Sequence, residues 1–215
     1  MKLYNYFRSS AAYRVRIALN LKGMAWEHVG VHLIKREQRS AEYLALNPTG
    51  LIPSLVTDDG AVIAQSLAII EYLDEIKPRK VPLLPKDKVA RAHVRALALA
   101  LACDVHPLNN VRVLNYLSNE LTVTTQQKDA WITHWITVGL DAFEKALALS
   151  KTAGKFCYGD TPTIADIALV PQVFSARRFN VDIARYPLIS MIDANCSALP
   201  AFVDAHPSNQ PDFQA

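Results

Sequence analysis

The sequence predicts two folds in succession, an α/β domain over residues 1–80 and an all-helical domain over residues 87–215. Three observations carry this reading. Strand-like and helix-like apolar periods alternate up to Leu73, a connector with Pro78, Pro82 and Pro85 follows, and every periodic stretch beyond it has helical spacing. At 215 residues, 51% apolar and 20% charged, the chain can bury a sizeable core and does not have a disordered composition.

The elements follow in order. Lys2 to Phe7 reads as a strand from its aromatic content, and Ala11, Ala12, Val15, Ala18 and Leu19 form the apolar stripe of a helix with Ser9 or Ser10 as N-cap. Gly23 fits the position just past that helix, and Trp26 to Leu33 alternates as a second strand. Ser40 to Leu46 is a short helix stopped by Asn47-Pro48. After a loop through Pro53, Asp58-Asp59-Gly60 is a hairpin turn joining Pro53–Thr57 to Ala61–Ala64. A third helix opens at Gln65-Ser66, with Ser66 as N-cap and Leu67, Ile69, Ile70 and Leu73 buried, and ends before Pro78. The order β-α-β-α-β-β-α is the thioredoxin-like arrangement. Pro53, at a strand start after an irregular loop, is a candidate cis-proline.

Beyond the connector, Val89 to Leu117 is one apolar period broken at His106-Pro107. Thr125 to Ser150 is a long helix whose apolar face includes Trp131, Trp135, Leu140 and Phe143. Thr163-Ile164-Ala165-Asp166 is a capping box opening a helix to about Arg178, so Asp166 is expected to be structural. Shorter helices are expected over Leu188–Cys196 and Pro200–Ala205, and a polar tail after them is expected to be partly disordered.

Composition excludes several function classes. A net charge of +3 with no run of basic residues is too weak a field for nucleic acid, so any anionic partner should be small. No segment reaches the roughly 18 apolar residues of a membrane span, and Met1-Lys2-Leu3-Tyr4-Asn5-Tyr6 has no secretory character, so a cytoplasmic protein is expected. The three cysteines, Cys103, Cys157 and Cys196, form neither a disulfide framework nor a CxxC pair, and read as small core residues in a reducing compartment. Six histidines without an H-E-x-x-H motif lead to the expectation of no metal site. Neither GxGxxG nor GxxxxGK[ST] is present, which argues against a nucleotide-binding domain.

Chemistry concentrates at the first strand-to-helix joint, where Arg8, Ser9 and Ser10 meet a helix amino end. Unpaired N–H groups and the positive dipole end make such a joint suitable for a phosphate, a carboxylate or a thiolate. The plain alternative is that the serines only cap the helix and Arg8 is a solvated charge.

Ser9-Ser10-x-x-x-Arg14-Val15-Arg16-Ile17-Ala18-Leu19, Asn47-Pro48 with Pro53, and Gln65-Ser66-Leu67-Ala68-Ile69-Ile70-Glu71-Tyr72-Leu73 resemble the zeta class of cytosolic glutathione transferases. Cys103-Asp104-Val105-His106-Pro107-Leu108-Asn109-Asn110, Leu169-Val170-Pro171-Gln172-Val173 and Arg178-Phe179 extend the resemblance over essentially the whole chain. The resemblance implies a thioredoxin-like glutathione-binding domain, a helical substrate-binding domain and a homodimer. It implies glutathione as cofactor and a cis–trans isomerisation of maleylacetoacetate or maleylpyruvate, small dicarboxylate enones, by reversible thiol addition. Other activities consistent with it are conjugation of glutathione to electrophiles such as α-haloacids, or non-catalytic binding. Where many class members have a cysteine after the serine pair, this chain has Ala11, which puts in doubt reactions that need a protein thiol.

Residue by residue, the resemblance gives thiolate stabilisation to Ser9, with Ser10 as second choice. Gln65 and Ser66 would take the γ-glutamyl carboxylate, and Ile52 beside Pro53 the cysteinyl backbone. His106 and Asn110 would bond glutathione or tune the pocket. Arg8, Arg112 and Arg178 would grip substrate carboxylates through their planar, bidentate geometry. Arg14 and Arg16 are expected to support the helix or the domain junction.

Overall fold

The structure, a computed structural model, describes residues 1–214. It divides into two compact units, Met1–Leu83 with Ser197–Ala215, and Leu84–Cys196. Residues 197–215 therefore group with the α/β unit rather than with the helical range 87–215 in which the sequence reading placed them.

In the first unit, β1 (Lys2–Asn5), β2 (Glu27–Gly30), β3 (Ser54–Val56) and β4 (Val62–Ala64) form a four-stranded sheet in the order β2-β1-β3-β4. β1 pairs parallel with β2 and antiparallel with β3, and β3 pairs antiparallel with β4. Helix α1 (Ser10–Lys22) is the crossover between the parallel strands, α2 (Ala41–Leu46) precedes the hairpin, and α3 (Ser66–Ile76) follows it. Leu3, Ile17, Leu19, Leu55, Ile69, Ile70 and Leu73 are fully buried and form the centre of this unit. β2 is shorter than the predicted Trp26–Leu33: after Gly30 the chain leaves the sheet, turning through Leu33 to Arg36 into a 3₁₀ turn at Glu37–Arg39.

α1 starts and stops by local chemistry. Ser9, in extended backbone, accepts from Ala12 N at 3.2 Å, and Gly23 adopts φ 59°, ψ 40°, the left-handed turn that ends a helix. Lys22 is buried, and its ammonium donates to Asp74 at 2.5 Å and to the carbonyls of Lys77, Lys80 and Val81. It thereby ties the proline-rich connector back to α1 and α3.

The segment after α9 (Pro200–Ala205) is ordered, contrary to the expectation of a partly disordered tail; Ala215 lies outside the described residues. Gln210, 7% exposed, donates to the carbonyls of Asp204 and His206, and Asp212 accepts from Phe7 N at 2.9 Å. Partners distant in sequence supply the order that local composition does not.

In the second unit, α4 (Lys88–Leu99) passes into a π-helical turn (Ala100–Val105) and a 3₁₀ turn (His106–Asn109) before α5 (Val111–Asn119). The break thus begins at Ala100, ahead of the predicted His106-Pro107. The wider π turn shifts the apolar stripe, burying Leu101 and Val105 and turning Cys103 outward, so Cys103 is not the core residue the sequence suggested. A Cβ on Gly139 would stand 2.2 Å from Val105 Cγ2, so a glycine permits this turn to approach α6 (Thr125–Ser150).

The core of α6 is Ile132, Ile136, Leu140, Phe143 and Leu147; Trp131 and Trp135 are only half-buried, and Trp131 donates its indole N–H to Leu108 O. α7 (Ile164–Arg178) opens with the predicted capping box, in which Asp166 accepts from Thr163 N and from Cys157 N at 2.7 Å. Burial pushes the Cys157 thiol well up, as expected of an inert core cysteine. α8 (Pro187–Ser197) begins over Glu144, whose carboxylate accepts from the N–H groups of Leu188 and Ile189.

Candidate active site

The first unit carries the thiolate-directed candidates. Tyr6 to Ser9 is a tight turn closed by Ser9 N donating to Tyr6 O at 3.0 Å, and it sets Ser9 at the N-cap of α1. Ser9 Oγ uses an acceptor lone pair on Ala12 N, which leaves its O–H as a donor for a ligand. Ser10 is the first helical residue, so the structure separates the two hydroxyls: Ser9 caps and Ser10 does not. Arg8 is half-buried, with its guanidinium 5.8 Å from the Phe7 ring centroid.

Ile52–Pro53 is a cis peptide bond, and a buried polar cluster holds the loop around it. Asn47 donates to Leu51 O at 2.8 Å and to Ser54 Oγ at 3.0 Å, while its own oxygen accepts from Thr49 N and Thr49 Oγ1. The Tyr43 hydroxyl donates to Leu51 O at 2.7 Å, and burial raises its pKa. Sequence reasoning used Asn47 only as a helix stop and a point of resemblance. The hint it passed over was an asparagine two residues before a threonine, a spacing suited to side-chain capping of a turn.

Gln65 and Ser66 exchange the roles expected of them. Gln65, not Ser66, occupies the N-cap position of α3, without a side-chain cap, at φ 69°, ψ 115°. This is left-handed backbone that a non-glycine residue adopts only under constraint, a feature that clusters at ligand sites. Ser66 is buried inside the first turn, and its hydroxyl accepts from Arg14 Nη1 at 3.0 Å. Arg14 therefore stands directly behind a candidate ligand residue.

Arg16 is fully buried, donating to Phe7 O at 2.9 Å, Asn5 Oδ1 at 3.2 Å and Ala205 O at 3.0 Å, and burial pushes its pKa down to about 10. It organises the turn that carries Arg8 and Ser9.

The remaining candidates lie in the second unit. His106 begins the 3₁₀ turn, and Asn110 caps α5 by accepting from Arg112 N at 3.1 Å. Arg112 is exposed on the first turn of α5. Arg178 ends α7, exposed, with its guanidinium 5.2 Å from the Phe179 ring centroid. The neighbouring Arg177 pairs with the largely buried Asp193 at 2.7 Å. Among the described residues no cluster of His, Cys, Asp or Glu could hold a metal ion, and no helix is long and apolar enough to cross a membrane.

A thioredoxin-like unit with a serine-capped first helix and a cis-proline loop, joined in sequence to an all-helical unit, defines a glutathione transferase type of protein. Comparison with known proteins agrees. Residues 8–76 match the glutathione S-transferase N-terminal domain, and residues 129–204 the C-terminal domain. A maleylpyruvate isomerase from Ralstonia sp. is 50% identical over 213 residues, 99% of each chain. The holo structure of a maleylpyruvate isomerase, a bacterial zeta-class glutathione S-transferase, matches with a TM-score of 0.96 and 48% identity over 100% of both chains. A maleylacetoacetate isomerase from Methylobacterium extorquens AM1, with bound malonate and glutathione, also has a TM-score of 0.96, at 40% identity over 100% of both chains. The chain belongs to the glutathione S-transferase family, in its zeta class.

Proposed function

We propose that this protein is a glutathione-dependent cis–trans isomerase of maleylacetoacetate or maleylpyruvate. The observation that carries the reading from geometry is Ser9: its oxygen is fixed on Ala12 N, which turns its hydroxyl into a ready donor at the amino end of α1. Near-full-length identity to proteins named for this activity supports the same reading.

In the reaction we infer, the glutathione thiolate adds to one carbon of the cis double bond, and the displaced electron pair moves into the conjugated carbonyl as an enolate. The former double bond is now single and rotates. Collapse of the enolate expels the thiolate and leaves the trans alkene, so glutathione is regenerated and nothing is oxidised. The protein must stabilise the thiolate and hold the diacid. A free thiol has a pKa of about 8.5, and a hydroxyl donor at a helix amino end favours the charged form at neutral pH. We assign that role to Ser9, with the N–H of Ser10 beside it.

The other assignments follow chemistry. Ser66 and Gln65 take the γ-glutamyl carboxylate, Ile52 at the cis-Pro53 bond the cysteinyl backbone, and His106 and Asn110 further polar groups of glutathione. Arg8, Arg112 and Arg178 take the substrate carboxylates. Because glutathione supplies the attacking sulfur, Ala11 in place of a cysteine does not obstruct isomerisation. A homodimer and a cytoplasmic setting complete the reading by analogy with the fold.

The test is to mix the protein with each enone, with and without glutathione, and follow the enone absorbance. A change with at least one substrate only when glutathione is present is expected. No glutathione-dependent change with either contradicts the proposal.

A further inference from the structure

The turn that carries Arg8 and Ser9 is held from a distant part of the chain. Phe7, the residue before Arg8, has both backbone groups engaged: its N–H donates to Asp212 Oδ2 at 2.9 Å, and its carbonyl accepts from Arg16 Nη2 at 2.9 Å. The Phe213 ring meets the Phe7 ring edge-on at 5.5 Å, and Phe213 N donates to Gln210 O. Gln210 in turn is pinned to the end of α9.

The second oxygen of Asp212 faces His28. His28 Nδ1 accepts from Asn5 Nδ2 at 3.4 Å, which leaves Nε2 to bear the proton; Nε2 lies 3.3 Å from Asp212 Oδ1, an electrostatic contact without hydrogen-bond geometry. Asn5 Oδ1 accepts from Arg16. The contacts close a ring, Phe7–Asp212–His28–Asn5–Arg16–Phe7, around the residue that leads into the turn.

We propose that Gln210–Phe213 is a strap that fixes the Phe7–Ser9 turn, with Asp212 as a positioning residue for the reaction at Ser9. This rests on Ser9 being the thiolate donor. A merely structural anchor would secure the fold without affecting sulfur ionisation. Here the carboxylate holds the N–H two residues before Ser9, so its loss lets the turn carry the Ser9 hydroxyl away from the sulfur, loosening the cap on Ala12, while the core of α1 remains. A displacement near 1 Å in such a site can cost on the order of 100-fold, and a partly retained turn should cost about tenfold.

The experiment titrates the thiol of enzyme-bound glutathione by its ultraviolet absorbance, and measures kcat, the KM for glutathione and the melting temperature, in wild type, Asp212→Ala and Asp212→Asn. We expect Asp212→Ala to raise the bound thiol pKa and lower kcat about tenfold, with a smaller change in KM. Asp212→Asn, whose amide oxygen still accepts from Phe7 N, should recover most of both. An unchanged thiol titration and kcat in Asp212→Ala, whatever its melting temperature, overturns the strap.

Should Asp212→Ala fail to fold, Phe213→Ala removes only the ring contact, at a residue already 44% exposed, and must still raise the thiol pKa. No rise there also overturns the proposal. If wild type itself leaves the thiol of glutathione at its solution value, the functional reading fails and the strap with it. A lowered value in wild type that Asp212→Ala leaves in place sinks the strap alone.

Discussion

Arg14 Nη1 donates to Ser66 Oγ at 3.0 Å, so a buried cation on the first helix lies directly behind the first residue of the third. The guanidinium draws on one lone pair of the hydroxyl and sharpens its O–H as a donor toward an anion. Arg14→Met should therefore raise the KM for glutathione about tenfold while lowering kcat less, since the γ-glutamyl end is remote from the sulfur. Steady-state kinetics with glutathione as the varied component checks this. An unchanged KM would mean that Ser66 needs no such support.

Asn47 holds the cis-proline loop with both ends of its amide. Asn47→Ala strands the buried Ser54 hydroxyl and the Leu51 carbonyl with fewer partners, at a cost of about 1–3 kcal/mol. We expect a lower denaturation midpoint together with weaker glutathione binding by calorimetry. Lost stability with unaltered affinity would separate the loop from the ligand.

Lys22 and Asp74 form an ion pair whose side chains are 0% and 10% exposed. Lys22→Met leaves the Asp74 carboxylate with Leu83 N but without its cation, and takes a donor from the carbonyls of Lys77, Lys80 and Val81; removing one partner of a buried pair costs about 3–5 kcal/mol. Urea denaturation should show that loss. A change under about 1 kcal/mol would show that water replaces the ammonium.

Burial holds the pKa of His28 below its ordinary value, with Asp212 raising it and Arg16 lowering it. The unfolded chain then binds a proton near pH 6.5 that the folded chain still refuses, so stability falls as pH drops from about 7 toward the folded pKa. His28→Gln should flatten part of this fall below about pH 7, measured as melting temperature against pH. Part of the slope survives, because burial and Arg16 also lower His206. Parallel curves for the two proteins would contradict the assignment.

What the sequence disclosed was what local chemistry decides. The Ser9 cap, Gly23 in its left-handed turn, the Asp-Asp-Gly hairpin and the Thr163–Asp166 box each need only neighbours within a few residues. The elements misread depend on remote partners. Ser66 looks like a cap until Arg14, on another helix, engages its hydroxyl and Gln65 takes the turn instead. Residues 206–214 have the composition of a loose tail, and the contacts of Asp212 and Phe213 with the distant Phe7 and His28 reveal why they are ordered. Cys103 fits an apolar stripe at α-helical pitch, and the π turn moves it off that stripe. The candidate residues were legible as types, a serine pair with arginines, and Arg14 and Arg16 as supports, whereas the partners those two arginines hold, Ser66, Phe7 and Ala205, were not.

The central claim is that the amino end of α1, through Ser9, ionises a sulfur that glutathione brings. Titrating bound glutathione in wild type, Ser9→Ala and Ser10→Ala tests it directly. In wild type the bound thiol should have a pKa at least about one unit below 8.5, about 1.4 kcal/mol of preference for the thiolate. Ser9→Ala should erase most of that difference and Ser10→Ala little. Equal values in wild type and Ser9→Ala would contradict it.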